Sequence, residues 1–364
     1  MPRMRAPNGA MISRVNRRTV LAAAGAALAM PAISRVSRAN EQIVLGSYGG
    51  TIEEFMREEA IPPFEKETGI SVVYVVGTAL GNYSKILATR SNPEMDIYWA
   101  NDMSHLSGKV QGLYDTLDPA LIPNLAKVYP TALDADGIGV ASNMAATGLE
   151  YNSARLREAG LEPPTSWLDL WDPKYHGRVA MCSIGILQTQ DFLAMMTRIL
   201  GGSEQDIGPA IAKIKELRDS GNIVNFANSP AEMDNVMVQE QAWIGVNSTT
   251  RTLALQDRGF PVEYVQPSEG GPMHTILLDV VKGAANPTGA HKFINHMLGE
   301  EVQSGIARAL AYAPVNPGAS IPENYRQVMP SDEAGLATFI SLDRVTMNQN
   351  LDRWIETWNR EIES

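Results

Sequence analysis

The chain has 364 residues, which is enough for two domains of ordinary size. Its formal net charge is −11 at pH 7, but residues 1–39 carry seven Arg and no acidic residue, so setting these aside leaves −18 for the remainder. This acidic balance argues against nucleic acid and anionic membranes as partners. We interpret Cys182, the single cysteine of the sequence, as a small apolar strand residue rather than a nucleophile.

Residues 1–39 are expected to form an export signal. Arg17 and Arg18 precede a stretch of small apolar residues over 20–33, and Ser37 and Ala39 are small residues at the two positions that a signal peptidase reads. The apolar stretch is too short and too rich in Ala and Gly to span a bilayer. The arginine pair indicates a twin-arginine signal, so we expect cleavage near Ala39 and a mature periplasmic protein.

The segment IVLGSYGGTIEEF predicts a strand, a glycine turn and a helix in immediate succession. Thr51 and Glu54 have the spacing of a capping box, which predicts the start of the helix. Pro62 and Pro63 are expected to end it.

Further strands alternate with helices along the rest of the chain. The predicted strands are GISVVYVVG, MDIYWAN, GIGVASNMAATGLEYN, GRVAMCS, AWIGVN, VEYVQPS and MHTILLDVVKG. The alternation predicts largely parallel sheets, with binding groups at the carboxyl ends of the strands. The C-terminal segment has Leu351, Trp354, Ile355 and Trp358 at helical spacing, and we interpret this stripe as core packing.

The resemblance to a known protein family rests on five segments, which in chain order are FEKETGI, SWLDLWDPKYHGRV, SEGGPMHTILLDVVKGAANP, AHKFINHML and YAPVN. They resemble the periplasmic solute-binding proteins of ABC importers, in the branch of the spermidine/putrescine binders and their relatives for small amino-acid-like solutes. The resemblance implies an α/β fold of the two-lobed, type II periplasmic binding protein kind, with a ligand cleft between the lobes and a hinge of crossing strands. We expect lobe 1 to comprise 41–142 and 275–330, and lobe 2 to comprise 143–274 and 331–364.

The resemblance also implies partners and cleft residues. The partners are a small solute and the permease and ATPase subunits in the inner membrane, with no cofactor, and we expect a monomer. In the polyamine binders an aromatic residue of the loop after the first strand packs on the ligand. Tyr48, followed by Gly49, matches that position, and Tyr312 matches a second cleft aromatic.

The sequence departs from the polyamine pattern where cationic ligands need buried carboxylates. Acids follow the strand GRVAMCS in the polyamine relatives, whereas here SIGILQTQ contains none and the first acid is Asp191. The Trp and Asp motif after the EGG turn is replaced by PMHTILL. We therefore expect an amino acid, an amino-acid derivative or another carboxylate as ligand, with a polyamine as the alternative.

Other candidate ligand-binding residues are polar groups expected at strand ends. Arg251 follows a predicted strand, where its guanidinium could bind a carboxylate by two parallel hydrogen bonds. A solvated arginine in the first turn of a helix is the alternative for Arg251, and loop capping is the alternative for the others. The remaining candidates are Ser47, Asn82, Asn101, Asp102, Asn143, Ser183, Asn247 and His274.

A secreted enzyme is the rival class. The sequence contains no G-x-S-x-G elbow, Walker loop or G-x-G-x-x-G fingerprint. His105, His176 and His274 are scattered, and His291 and His296 are five residues apart, so no metal-binding spacing is present. A ferric-ion binder would need adjacent tyrosines, which the second half lacks. We predict no catalytic residue and no metal, and a further role with a chemoreceptor stays open.

Overall fold

The structure, a computed structural model, describes residues 41–364. The predicted export signal and its cleavage site near Ala39 lie outside the described residues. Within them, none of the helices combines the length and the apolar character needed to cross a bilayer.

The described residues form an α/β structure. Its strands are β1 (Gln42–Ser47), β2 (Ser71–Val76), β3 (Ile97–Asn101), β4 (Tyr114–Asp115), β5 (Val140–Asn152), β6 (Val179–Cys182), β7 (Ile223–Ala227), β8 (Ile244–Ser248), β9 (Val262–Val265), β10 (Gly271–Val281), β11 (Ala313–Pro314) and β12 (Phe339–Ile340). Its α-helices are α1 (Thr51–Phe55), α2 (Ile61–Thr68), α3 (Ala79–Ala88), α4 (Asp102–Val110), α5 (Ser153–Glu158), α6 (Leu187–Ile199), α7 (Gly208–Asp219), α8 (Pro230–Val238), α9 (Thr249–Asp257), α10 (Pro287–Met297), α11 (Glu300–Leu310), α12 (Glu333–Leu336) and α13 (Arg344–Glu361).

The strands form one continuous sheet in the order β2-β1-β3-β10-β5-β8-β6-β7. Pairing is parallel among β1, β2 and β3 and among β6, β7 and β8. In the centre, β10 runs antiparallel to β3 and β5, and β5 runs antiparallel to β8. The expectation of largely parallel sheets was therefore wrong for the centre, because two long strands pass in opposite directions between the parallel groups.

Two large hydrophobic cores lie against this sheet. The first includes Ile43, Trp99 and Phe293, and the second includes Trp167 and Phe192. Every residue of β5 is buried, and its early residues join the first core while its later residues join the second. The long strand β5 is thus shared by both cores.

The C-terminal helix α13 packs on the second core. Trp354 and Trp358 are fully buried there, and Ile355 packs against the same cluster at partial exposure. The interpretation of the aromatic stripe as packing is confirmed.

The first helical segment differs from the sequence-based expectation at both ends. Its N-cap is Gly50, with a φ of 68° that favours glycine, and no side chain caps the helix, so the capping box of Thr51 and Glu54 was wrong. The chain also stays helical past Pro62 and Pro63, through a π-helical segment at Met56–Ala60 and on into α2. The prolines occupy the first turn of α2, where a missing N–H is tolerated.

Candidate ligand-binding site

The loop after β1 is fixed to the carboxyl end of β3. The phenol oxygen of Tyr48 accepts a hydrogen bond from the backbone N–H of Asn101 at 3.0 Å. The carbonyl of Tyr48 accepts a second from the hydroxyl of Tyr74 at 2.6 Å. Burial raises the pKa of Tyr48, so its phenol stays neutral. The ring is held in a defined, half-buried position.

Close packing explains the small residues of this loop. A Cβ added to Gly49 would lie 2.9 Å from a methyl carbon of Val76. Ser47 is buried, and its carbonyl accepts a hydrogen bond from the amide of Asn82 at 3.1 Å. Asn82 lies within α3 and not at a strand end, so that expectation was wrong, and its amide holds the loop in place. The hydroxyl of Ser47 is buried and has no partner within the described residues.

Asn101 and Asp102 begin α4. The side chain of Asn101 accepts from the N–H of Ser104 at 3.0 Å as the N-cap, and one oxygen of Asp102 accepts from the N–H of Met103 at 2.8 Å. The other oxygen of Asp102 lies 3.3 Å from Nε of Arg344. Both side chains therefore have structural partners at the carboxyl end of β3, where ligands of α/β sheets are usually bound.

Arg251 lies in the first turn of α9, which Ser248 caps. Its guanidinium pairs with Asp234 of α8: Nε lies 3.3 Å from one carboxylate oxygen, and Nη2 donates to the other. No bond to Nη1 is found within residues 41–364. The side chain is 36% exposed, so part of it is accessible.

Tyr312 interacts electrostatically with both Tyr48 and Arg251. Burial raises its pKa to about 12, and the charge of Arg251 acts in the opposite direction. The phenol of Tyr312 and the carboxylate of Asp102 also contribute to the raised pKa of Tyr48. Tyr312 is thus close enough to act electrostatically on Tyr48 and to feel the charge of Arg251, and Asp102 is close enough to act on Tyr48.

Two further candidates lie inside the central strands and not at strand ends, because β5 and β10 continue between the cores. Asn143 of β5 is fully buried, and neither its amide nitrogen nor its amide oxygen has a partner within the described residues. It pairs in register with Ile276, which also pairs with Asn101 on the other side of β10. His274 of β10 has Nδ1 3.8 Å from an oxygen of Asp191, and burial lowers its pKa to about 4.

Ser183 and Asn247 have partners elsewhere. The hydroxyl of Ser183 donates to Glu363 at 3.1 Å, next to the C-terminus. The amide of Asn247 donates to Glu150 at 3.1 Å, and its oxygen accepts from the N–H of Ser248. Both side chains therefore have structural roles in this structure.

Four charged residues near the site were not among the sequence-based candidates: Glu150, Asp191, Asp234 and Arg344. Glu150 is fully buried in β5 and accepts from the hydroxyl of Thr252 at 2.7 Å. Burial raises its pKa to about 7, and nearby Asp234 adds to the rise. A lone carboxylate in an otherwise uncharged strand was the signal for Glu150, whereas nothing local marks Arg344 as buried.

Arg344, at the start of α13, donates hydrogen bonds to two acceptors and forms an ion pair with a third group. Its Nε faces Asp102 at 3.3 Å, its Nη1 donates to Asp191, and its Nη2 donates to the carbonyl of Met273 at 2.9 Å. Arg344 is 7% exposed and Asp191 is fully buried. The hydroxyl of Thr147 donates to the second oxygen of Asp191 at 2.7 Å. The two acids keep the pKa of Arg344 high despite its burial, so it stays cationic.

No candidate metal-binding site is found in residues 41–364. Within residues 41–364, no group of three or more His, Cys, Asp or Glu side chains is placed to hold an ion. The polar groups at the site are instead amides, hydroxyls, phenols and paired charges, which suit an organic ligand bound by hydrogen bonds.

The chain belongs to the family of bacterial extracellular solute-binding proteins, whose family model matches residues 59–329. It is 25% identical to the spermidine/putrescine-binding periplasmic protein of Escherichia coli over 315 residues, which cover 82% of this chain and 84% of that protein. It is 23% identical to the gamma-aminobutyric acid-binding protein of Pseudomonas aeruginosa over 339 residues, 88% of this chain and 91% of that protein.

A solved structure has the same fold. The extracellular solute-binding protein from Bordetella parapertussis superimposes with a TM-score of 0.77 at 24% identity, covering 89% of this chain and 99% of that one. The expected two-lobed α/β binding-protein fold and the resemblance to the solute-binding family are therefore confirmed. Members of this family bind small solutes outside the cytoplasm, while the boundaries of the lobes and the contacts of the ligand stay predictions.

Proposed function

We propose that this protein is the periplasmic substrate-binding component of an ABC importer and that it captures an amino acid or a related small carboxylate. The export signal would bring it to the periplasm, where it acts as a monomer and delivers its ligand to a permease driven by an ATPase. Closure of the two lobes on the ligand supplies the contacts that favour the closed state. The family match and the named relatives support this role.

The free edge of Arg251 is the observation that carries the choice of ligand. Asp234 occupies Nε and one side of Nη2, which leaves Nη1 and the outer side of Nη2 for a second carboxylate. A planar guanidinium binds a carboxylate by two parallel hydrogen bonds. Tyr312 acts electrostatically on Tyr48 and is acted on by Arg251, so we place both phenols at the same site, where they would supply apolar walls and hydroxyl groups.

Charge balance favours a zwitterion over a dicarboxylate. The pair formed by Arg251 and Asp234 is neutral, and Glu150 is close to both. A bound carboxylate alone would add negative charge beside two acids, and the cost of an uncompensated charge is high in a partly buried site. An ammonium group on the same ligand offsets this cost. Amino acids carry both groups.

A polyamine is the second candidate, and one observation favours it. The residues around the site hold four acids and two arginines, so they are net negative when every acid is ionised: Asp102, Glu150, Asp191, Asp234, Arg251 and Arg344. More carboxylates are therefore present than the sequence indicated. Three of these four acids already contact an arginine, which offsets most of their charge, and for this reason we place this candidate second.

Calorimetric titration of the purified protein with γ-aminobutyrate, glutamate, putrescine and spermidine tests the proposal. We expect binding of an amino acid and a loss of at least about 30-fold in affinity in Arg251→Met, because truncating one partner of a desolvated charge pair costs about 2–5 kcal/mol. Arg258→Met removes the exposed arginine at the C-cap of α9, two turns beyond Arg251, and should bind like the wild type. Unchanged affinity in Arg251→Met would contradict the carboxylate clamp, and binding of diamines alone would establish the second candidate.

A further inference from the structure

Arg344 fills a cage of acceptors that is built to hold a cation. The carboxylates of Asp102 and Asp191 and the carbonyl of Met273 converge on its guanidinium from three directions. They come from α4, α6 and β10, whereas Arg344 itself comes from α13. Four separate elements therefore meet at one buried positive charge.

The cage holds its shape through contacts that do not involve Arg344. The hydroxyl of Thr147 donates to Asp191 at 2.7 Å, and the N–H of Met103 donates to Asp102 at 2.8 Å. His274 lies 3.8 Å from Asp191 and is neutral near pH 7, because burial lowers its pKa to about 4. Arg344 is consequently the cation that faces both acids, and its single positive charge offsets part of their combined negative charge.

An alkylammonium group would match the same cage. It has three N–H donors and one positive charge, and the cage presents three acceptors, two of them anionic. Asp102 directly follows Asn101, whose N–H bonds the phenol of Tyr48. The cage is therefore next to the loop where the ligand is proposed to bind.

We propose that Arg344 is a specificity-determining residue: it occupies the acidic cage as an internal cation and thereby excludes diammonium ligands, which leaves the free edge of Arg251 to select a carboxylate. This inference rests on the proposed ligand site beside Tyr48. It assigns to an intramolecular arginine the position that the ammonium group of a polyamine would otherwise take.

Replacing Arg344 by Met tests the inference, since Met fills volume but carries no charge. We expect Arg344→Met to bind putrescine at least about tenfold more tightly than the wild type, measured by calorimetric titration, because the two acids are left without a cation. Arg344→Lys keeps the charge and should show no gain. The double variant Arg344→Met with Asp191→Asn removes half of the negative charge and should lose the gain.

A matched control separates this effect from a general loss of an ion pair. Arg155 pairs with Glu240 at a partly exposed position of α5, so Arg155→Met also removes an arginine from an acid. It should not gain affinity for putrescine. A gain of equal size in Arg155→Met, or a folded Arg344→Met with no gain, would overturn the inference.

Chemical rescue covers the case in which Arg344→Met does not fold. Methylguanidinium at millimolar concentration should restore the circular dichroism signal of the folded state in Arg344→Ala by refilling the cage, while urea, its neutral analogue, should not. Equal effects of both compounds would overturn the inference.

The outcomes also separate this inference from the proposed function. A wild type that binds no amino acid, with a gain of putrescine binding in Arg344→Met, would refute the ligand choice and support the cage. A wild type that binds putrescine as tightly as Arg344→Met would refute the role of Arg344.

Discussion

Each of the two arginines at the site is held by an acid from another element. Arg251 of α9 is paired with Asp234 of α8, and Arg344 of α13 with Asp191 of α6. A guanidinium has five N–H donors in a fixed plane, so it can bond an internal carboxylate and still offer an edge to a ligand. The two arginines differ in exposure, which decides whether a ligand can reach them. Arg251 is 36% exposed, whereas Arg344 is 7% exposed and has acceptors on three sides.

Glu150 predicts a pH dependence of stability that can be isolated by mutation. Its pKa is about 7 in the folded protein against an ordinary value of 4.5, so its stabilising contribution is complete below pH 4.5 and is lost as the pH rises through 7. Glu150→Gln keeps an acceptor for Thr252 and Asn247 but cannot ionise. We expect the variant to be more stable than the wild type at pH 8, by up to about 3 kcal/mol, and similar at pH 4.5.

Urea unfolding of both proteins at pH 4.5 and pH 8 measures this difference. His274 acts in the opposite direction, because its pKa of about 4 makes its contribution full above pH 6.5 and lost as the pH falls through 4. Both proteins contain His274, so its effect cancels in the comparison. Glu162→Gln, at an exposed position, should show the same difference at both pH values. The interpretation of Glu150 fails if its variant behaves like this control.

Residue identity alone revealed some of these groups. Arg251 could be found because it follows a predicted strand, at the place where a helix begins. Asp234 was missed because its importance comes from its contact with Arg251. Glu150 was missed because its importance comes from its burial. Arg344 and Asp191 are separated by 153 positions, so no local pattern joins them.

At the scale of elements, α13 anchors the chain to the second core. Its buried residues recur at helical spacing, and Asp343 caps it by accepting from the N–H of Thr346 at 3.0 Å. The same helix begins with Arg344, so its packing positions the cation of the cage. Displacing α13 from the second core would therefore also move Arg344.

Replacing Trp354 measures how much the packing of α13 contributes to the free energy of unfolding. We expect Trp354→Ala to lower the free energy of unfolding by about 3–5 kcal/mol, because a fully buried large side chain is lost. Val345→Ala removes an exposed apolar residue from the first turn of the same helix and should change it by less than about 0.5 kcal/mol. Urea titrations followed by circular dichroism give both values, and equal losses would mean that α13 is not anchored through its tryptophans.

The segment from α1 to α2 continues as a helix where Pro62 and Pro63 were expected to end it. Two prolines ordinarily end a helix, because each removes a donor and crowds the preceding turn. Here the π-helical segment changes the register before them, and they start the next α-helical turn instead. Such a change of register is favoured by packing, since Met56 and Ala60 of this segment are fully buried in the first core.

At the scale of the whole molecule, β5 and β10 lie between the two parts of the structure that carry the site, one built around the first core and the other around the second. Tyr48 and Asp102 follow strands packed on the first core, whereas Arg251 follows β8, which packs on the second. A ligand that contacts all three would hold the two parts together. The central strands are the expected location of bending, because β5 contributes to both cores and β10, which belongs to the first core, also contacts α6 of the second.

Hydrogen exchange with and without the amino acid that binds best tests this arrangement. We expect slower exchange on both sides of the site, in residues 47–50 and 102–104 and in the first turn of α9. Ligand at 100 times its dissociation constant stabilises the folded state by about 2.7 kcal/mol. Helix α7, which packs on α6 and α13, should keep its local opening rates and serves as the reference. Protection confined to α9 would contradict closure by both parts.

The sequence by itself determined the alternation of strands and helices, the family, the aromatic stripe of α13 and the position of Arg251 at a helix start. These depend on periodicity and on neighbours within a few residues. The direction of β10, the burial of Asn143 and the pairing of each arginine with its acid were decided only by the tertiary structure. The physical reason is that pairing and desolvation depend on which distant segments meet, and Asp234 and Asp191 acquired their partners only when α8 met α9 and α6 met α13.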